Sequence, residues 1–479
     1  MTSIPPYSYN ARVALNATAS FKNQKEVLDT LQTQLATGRT AETYAGLGSG
    51  TSASLRLNAR LETLDGYGEA ITDAQLRIDI ASTGLTDISR VARDLGTTLA
   101  GTKPSSPISR NLGPITAMGD LAQTVDVLNS DINGRYLFSG RAADTQPVLS
   151  LDVLLNGDGN HDGLKQVVAN RQLNDGVAGM GRLASASAGT SVTLSGDATS
   201  FGFKVAAATA SGTRVTAVKN PGPPATVAIN VASQPNEGES VSIDLSLPDG
   251  TTQTLTLAAT ASATGEAGTY AIGATPAATA ANIKAALDTA VTTAASTSLS
   301  AASALRASTD FFDGSYSSTT TVAWYQGDTG SVSARETAPV QVGDTLTVAI
   351  GLRADEPGLR KVLAAFGALA VSSFPESDAT SGARYDALAG KLSAALGGTA
   401  GASAVDTMTV DLGNASATLK LASERVLATK AQVQTMAGDI DDVSPEKVAA
   451  ELISAQTRLQ ASYQTTSTIA RMSLVDYLG

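Results

Sequence analysis

Residues 57–99 read LNARLETLDGYGEAITDAQLRIDIASTGLTDISRVARDLGTTL, and every seventh position from Leu57 is apolar: Leu57, Leu64, Ile71, Ile78, Leu85, Ala92 and Leu99. Ala74, Ala81, Ile88 and Leu95 fall three residues after the later ones. This is an a/d heptad, the pattern of a helix that lays one seam against partners. A continuous helix over this span is about 65 Å long at 1.5 Å per residue. Gly66, Gly68 and Gly84 interrupt the seam, each costing about 1 kcal/mol relative to Ala. Neighbouring helices must therefore stabilise the rod.

The same arithmetic near the other end of the chain gives Leu412, Leu419, Val426, Val433 and Ile440, accompanied by Met408, Ala415, Ala422, Thr429 and Met436. A second rod of matching period follows. A third, shorter helix is predicted through Met118, Leu121, Val125, Leu128 and Ile132, after which Asn133-Gly134 turns the chain into the apolar run Tyr136-Leu137-Phe138. The predicted bundle core is Leu64, Ile71, Ile78 and Leu85 on one rod against Leu412, Leu419, Val426 and Val433 on the other.

Two terminal helices flank the rods. One carries Ala14, Ala17, Phe21, Gln24, Leu28, Leu31 and Leu35 and ends at Gly38, a residue suited to the left-handed cap position. The other starts at Ser444-Pro445-Glu446 and carries Val448, Leu452, Ala455, Leu459 and Ile469. There Ser caps, Pro fits the first turn and Glu meets the positive helix end. Helices with stripes this narrow are marginal alone. Phe21, Leu28, Leu31, Leu35, Leu452, Leu459 and Ile469 are accordingly expected to carry self-assembly, pairing the helices with each other and with copies on neighbouring molecules.

Between the rods the composition shifts to Thr, Ser, Ala and Gly, which reads as an α+β insertion. Val241, Ile243, Leu245 and Leu247 alternate up to Pro248-Asp249-Gly250, and Leu255 and Leu257 resume beyond it, a hairpin pattern. Thr275-Pro276 opens a helix through Ile283 and Leu287, Val340–Leu352 reads as a strand, and Pro357 opens a helix with Leu359, Leu363 and Phe366. Tyr385, Leu388, Leu392 and Leu396 mark one more. The expected class is mainly α with an α+β insertion. The expected divisions are a polymerisation helix over 1–44, a rod over 45–140, the insertion over 141–404, the returning rod over 405–440 and a second polymerisation helix over 441–479.

Composition narrows the function. The chain has 479 residues, a net charge of −11 and no cysteine. No broad basic surface exists to grip a nucleic-acid backbone or an anionic membrane, and disulfides, thiolate metal sites and thiol catalysis are all excluded. A single histidine, His161, argues against imidazole acid–base chemistry or a multi-histidine metal centre. Aromatic residues are 4% of the chain, so its apolar content is mostly small aliphatics, which suit packed helices better than a deep pocket. Neither a Sec-type leader nor an 18-residue apolar span is read at or after the polar Met1–Asn10 segment. No enzyme activity and no cofactor are expected.

Long helical regions toward both ends around a variable insertion resemble the bacterial flagellin family. Leu35-Ala36-Thr37-Gly38-Arg39 is similar to the end of that family's first helix. Asn133-Gly134-Arg135-Tyr136-Leu137-Phe138-Ser139-Gly140 and the ending Ser473-Leu474-Val475-Asp476-Tyr477-Leu478 resemble the family's hook-filament junction (hook-associated) branch more than its filament-forming members. The insertion, with Trp324-Tyr325, resembles those of alphaproteobacterial relatives. The resemblance implies an extracellular axial subunit of the flagellum serving swimming motility, exported through the flagellar type III apparatus. Its implied partners are copies of itself, other axial proteins (a hook-associated protein and flagellin) and an export chaperone. The alternatives are a flagellin that builds the filament itself and, more distantly, a surface adhesin on a helical stalk.

Two segments imitate ligand loops. Asp158, Asn160 and Asp162 before Gly163 match the first half of a calcium loop, but its twelfth position is Ala169, where the bidentate Glu belongs. An Asx-rich surface turn is the simpler reading. Gly46-Leu47-Gly48-Ser49-Gly50 places its third glycine one position early for a dinucleotide loop and follows no apolar strand, so it reads as a flexible connector. Arg90, Arg93 and Asp94 read as a solvated face of the first rod.

Overall fold

The computed structural model describes residues 7–101, 107–262, 265–397 and 401–478, with the side chains of 7–14, 17, 107–109, 401–402 and 469–478 outside that description. The chain is mainly helical, with long helices toward both ends and a β-containing insertion in the middle. In chain order the elements are α1 (Tyr7–Thr37), α2 (Thr51–Gly101), α3 (Pro107–Leu128), β1 (Asp131–Ile132), β2 (Arg135–Tyr136), α4 (Leu151–Asn156) and α5 (Leu164–Asp175). The insertion follows with β3 (Ala184–Ala188), β4 (Ser191–Ser195), β5 (Lys204–Ala210), β6 (Val215–Asn220), β7 (Thr226–Val231), β8 (Ser240–Ser246), β9 (Thr252–Thr260) and β10 (Thr269–Ala271). Next come α6 (Pro276–Ala294), α7 (Ser300–Phe312), β11 (Pro339–Gln341), β12 (Thr347–Ala349), α8 (Pro357–Ala370) and α9 (Ser381–Leu396). The chain then returns through α10 (Gly401–Asp441) and α11 (Pro445–Leu478).

Two compact units divide the chain, and their boundaries fall inside helices α2 and α10: residues 1–73, 341–347 and 418–479 form one, residues 74–340 and 348–417 the other. In the first unit α1 packs along α11. Gly38, at φ +70°, ends α1 with its N–H on the Gln34 carbonyl at 2.8 Å, the left-handed cap that glycine adopts without steric cost. The chain then runs back beside the end of α10: Thr40 N–H donates to the Asp441 carbonyl at 2.8 Å and Val443 N–H to the Gly38 carbonyl at 3.0 Å. Ser444 Oγ accepts weakly from Lys447 N–H at 3.4 Å and donates to Glu446 Oε2 at 2.6 Å, opening α11.

The second unit holds the rest of the heptad seam. Ala74 through Leu99 keep their predicted phase, with Ile78, Leu85, Ile88, Ala92, Leu95 and Leu99 all buried. Gly84 lies where α3 crosses: a Cβ there would stand 2.6 Å from Val127 Cγ1. α8 is the centre of the helical base, its Val362, Leu363, Phe366 and Leu369 side chains fully buried against α3 and α7.

Beyond the base the insertion forms two four-stranded sheets, β3-β4-β7-β6 and β10-β9-β8-β5, antiparallel except for the β9–β10 pair. The alternation predicted for the hairpin is present: Val241, Ile243 and Leu245 of β8 point inward and pair with β9 across the Pro248–Gly250 turn. Both sheets and α6 share one apolar core that includes Phe203, Ile229, Ile243, Leu257 and Ile283. Thr275 Oγ1 caps α6 by accepting from Ala278 N–H at 3.2 Å, with Pro276 in the first turn.

Three local expectations give way. α3 stops at Leu128 instead of running through Ile132, because Asn133 and Gly134 both take positive φ (54° and 78°). That two-residue turn is the one whose twist matches a hairpin, so Asp131–Ile132 must be extended; Asp131 Oδ2 fixes it by accepting from Gly134 N–H at 2.8 Å. Val340–Leu352 forms two short strands, β11 and β12, because the chain reverses between Val342 and Leu346 with an N–H to carbonyl bond of 3.0 Å. On α10 the seam passes from Val433 to Ala437, leaving Met436 49% exposed, since a 3.6-residue helix drifts from a strict seven-residue repeat.

Candidate self-assembly surfaces

The terminal pair α1 and α11 encloses little. Leu28 and Leu31 of α1 and Val448 of α11 are buried within it, and Phe21 stacks on Tyr463 with ring centroids 4.9 Å apart. Leu452, Ala455 and Leu459 are half-buried, while the side chain of Ile469 lies outside the described residues. Leu15, Val27, Leu35, Ile453 and Tyr463 are exposed, Leu15 at 68%. Between the two helices runs a groove of about 830 Å³, bordered by Asn23, Val27, Leu31, Glu451, Ala455 and Arg458. Of the seven residues expected to carry self-assembly, Leu28 and Leu31 line the seam inside the pair, and Leu35 faces outward.

Predicted core residues of the two rods are buried in their own units. Leu64 and Ile71 on α2, with Leu419, Val426 and Val433 on α10, belong to the first unit, whereas Ile78, Leu85 and Leu412 belong to the second. Sequence reasoning did not find the polar ties that fix these helices. In the first unit Arg60 forks onto Asp344 at 2.7 and 2.8 Å, Tyr67 donates to the same carboxylate at 3.2 Å, and Lys430 pairs with Asp65. Asp344 is held below the usual carboxylate range, first by its bonds to Arg60. In the second unit Ser89 donates to Asp406 Oδ1 at 2.7 Å and Arg93 pairs with Oδ2. Arg93, on an exposed position of α2, therefore also ties α2 to α10. Arg90, equally exposed, makes local pairs to Asp87 and Asp94 at 3.3 and 3.5 Å. Only pairing across distant segments distinguishes the two arginines, and spacing along one helix does not carry that signal.

The Asn133–Gly140 segment is a junction of backbone bonds. Leu137 N–H reaches the Ser130 carbonyl at 3.0 Å, the Phe138 carbonyl accepts from Ala354 N–H at 2.9 Å, and Gly140 N–H donates to Leu352 O at 2.9 Å. Leu137, Phe138 and Ser139 are buried. Gly140 has φ +62°, and a Cβ there would lie 3.0 Å from Asp328 Cβ, so both conformation and space select glycine. Trp324, also buried, donates its indole N–H to the Phe312 carbonyl at 3.0 Å.

The acidic loop is a turn held by its own residues. Asp158 Oδ1 accepts from the N–H groups of Asn160 and His161 at 2.9 and 2.8 Å, and Oδ2 lies 2.8 Å from His161 Nδ1. These bonds, the His161 ring first, pull the carboxyl down to about 2. Asp162 lies in a bridge to Thr321. Among the described residues no group of three His, Cys, Asp or Glu side chains could hold a metal ion. The glycine run is a 3-10 turn, Tyr44–Gly50, broken at Gly48 (φ 55°) and with none of its residues buried; a Cβ on Gly50 would meet Ile440 Cγ2 at 3.1 Å. One acidic contact stands out: burial, with the Asp94 charge adding to it, raises the Asp120 carboxyl to about 6.

Comparison with known families gives two matches at the ends of the chain. Residues 8–143 match the bacterial flagellin N-terminal helical region and residues 399–478 match the bacterial flagellin C-terminal helical region. Residues 144–398 lie outside both. No curated protein matches the chain. The two matches, which together cover less than half of the chain, support the flagellin family, whose members are structural subunits of the bacterial flagellum. That family self-assembles into helical polymers of the extracellular flagellum. Among the described residues no helix is long and apolar enough to cross a membrane.

Proposed function

We propose that this subunit sits at the hook-filament junction, an axial protein that joins a hook-associated protein to flagellin. The reading is carried by the Asn133–Gly140 segment, whose sequence resembles that branch of the family and whose positive-φ residues, Asn133, Gly134 and Gly140, fix a hairpin and its return onto Leu352. The terminal helices supply the intermolecular contacts in this reading, and Phe21, Leu28, Leu31, Leu35, Leu452, Leu459 and Ile469 are the residues assigned to them. Export is through the flagellar apparatus, with a chaperone holding the terminal helices before assembly. A filament subunit repeats through heterologous contacts that never close. A junction subunit meets different proteins above and below, so its growth stops after a ring or two. Purified protein, seeded and salted, is expected to give no long fibres by electron microscopy, and deletion of its gene to leave bare hooks with flagellin monomers in the medium. Micrometre-long fibres of the pure protein would assign it to the filament instead.

A further inference from the structure

We propose that the β-stranded insertion is a rigid bracket, fixed to its helical base at three points, and not a hinged appendage. The first point is covalent. α6 runs through a π-helical segment, Ala295–Leu299, directly into α7, so one helical run serves both regions. Its Ile283, Leu287 and Val291 belong to the core of the sheets, while Ala304, Ala307 and Phe311 are buried further along it in α7. The π segment absorbs the change of face where the run passes from one core to the other, and Ser298 Oγ bonds Gln253 of β9 at 2.8 Å beside it.

The second point is Asp175, at the end of α5 and fully buried. Its Oδ1 accepts from Gly202 N–H, in the insertion, at 2.8 Å. Its Oδ2 accepts from Arg171 Nε at 2.8 Å and from Ser303 Oγ of α7 at 2.6 Å. The third point is the tip of the β8–β9 hairpin, where Lys391 of α9 donates to Asp249 Oδ2 and Thr251 Oγ1, both at 2.6 Å. Asp249 and Lys391 are 6% and 13% exposed. A desolvated charge bonded to groups from separate elements tolerates little displacement, because movement would leave it buried without a partner. Salt also screens such pairs far less than surface ones. The three attachments stand on different elements, which removes the pivot that a single linker would leave. This inference is independent of the junction assignment.

The absence of cysteine lets two spin labels be introduced without background, at Ala169→Cys on exposed α5 and Ser187→Cys on exposed β3, in the full-length chain. Double electron–electron resonance is expected to give one narrow distance distribution that high salt does not broaden. A broad or multimodal distribution in the otherwise native chain overturns the proposal. Adding Asp175→Asn with Lys391→Met is expected to broaden it while circular dichroism stays native; a folded double variant as narrow as the parent removes the two ionic points. If that variant does not fold, Ser303→Ala, which deletes the bond to Asp175, and Thr251→Val, which deletes the bonds to Lys391 and Asp249, take its place, and unchanged widths in both would equally remove them.

Discussion

In the pair α1 and α11 the deepest apolar side chains of α1, Leu28 and Leu31, keep 9% and 7% of their surface, and Leu15, Val27, Leu35, Ile453 and Tyr463 stay in solvent. In the helical base Leu121, Leu128, Phe366 and Leu369 reach 0%. Both regions have heptad-like spacing, so periodicity does not make the difference. The base surrounds α8 with α3, α7 and α9, whereas among the described residues the terminal helices pack chiefly on each other, and two cylinders in contact cover only a narrow stripe of each other. One region completes its core within the chain, and the other presents apolar surface for partners to cover.

The largest effect that would test this contrast is loss of assembly. Leu28→Asp or Leu459→Asp puts a charge on the terminal seam, where burial without a partner costs several kcal/mol. Motility and polymerisation are expected to vanish, while denaturant unfolding of the base shifts by no more than about 0.5 kcal/mol. Normal filaments or junctions from both variants would remove the terminal pair from the assembly mechanism. Phe366→Ala should do the opposite: about 3–5 kcal/mol of lost stability from a cavity in a fully packed site, read as a lower unfolding midpoint. A loss under about 1 kcal/mol would mean the base is loosely packed, and the comparison would collapse.

Much of this was legible from residue spacing. The seam from Leu64 to Leu99, the β8–β9 hairpin and the caps at Gly38, Thr275 and Ser444 all follow from local rules. What spacing missed was the effect of distant partners. The Arg93–Asp406 pair, the Asp175 node and the Lys391–Asp249 contact join residues hundreds or dozens of positions apart, and a lone arginine on a helix face reads the same with or without its partner. The end of α3 was misplaced for a different reason: Leu128 and Ile132 satisfy helical spacing, but the Asn133-Gly134 turn demands extended flanks and outweighs one more helical turn.

A smaller effect distinguishes the units electrostatically. The Asp120 carboxyl in α3, raised to about 6 mainly by burial, binds its proton more tightly folded than unfolded. Its contribution is therefore most favourable below the ordinary carboxylate range and declines as pH rises from about 4 to about 6, beyond which it is flat. Asp120→Asn is expected to gain about 1–2 kcal/mol at pH 7 and to flatten this part of the stability profile. An unchanged profile would show that Asp120 ionises freely in the folded base.

The smallest expected effect has opposite signs in the two units. Gly68 and Gly84 lie on one helix, and by propensity alone either Ala replacement should gain about 1 kcal/mol. Around Gly68 an added Cβ meets nothing within 4 Å, so Gly68→Ala should realise that gain. At Gly84 the new methyl would meet Val127 Cγ1 at 2.6 Å, and a β-branched side chain on a helix has one strongly preferred rotamer and little room to move. Either α3 shifts or Val127 leaves its well, each at about 1–3 kcal/mol, so Gly84→Ala should lose stability on balance. Thermal unfolding of the two variants in parallel decides the matter: two gains would mean that α3 yields at the crossing, and two losses would mean that the face around Gly68 is covered by something other than solvent.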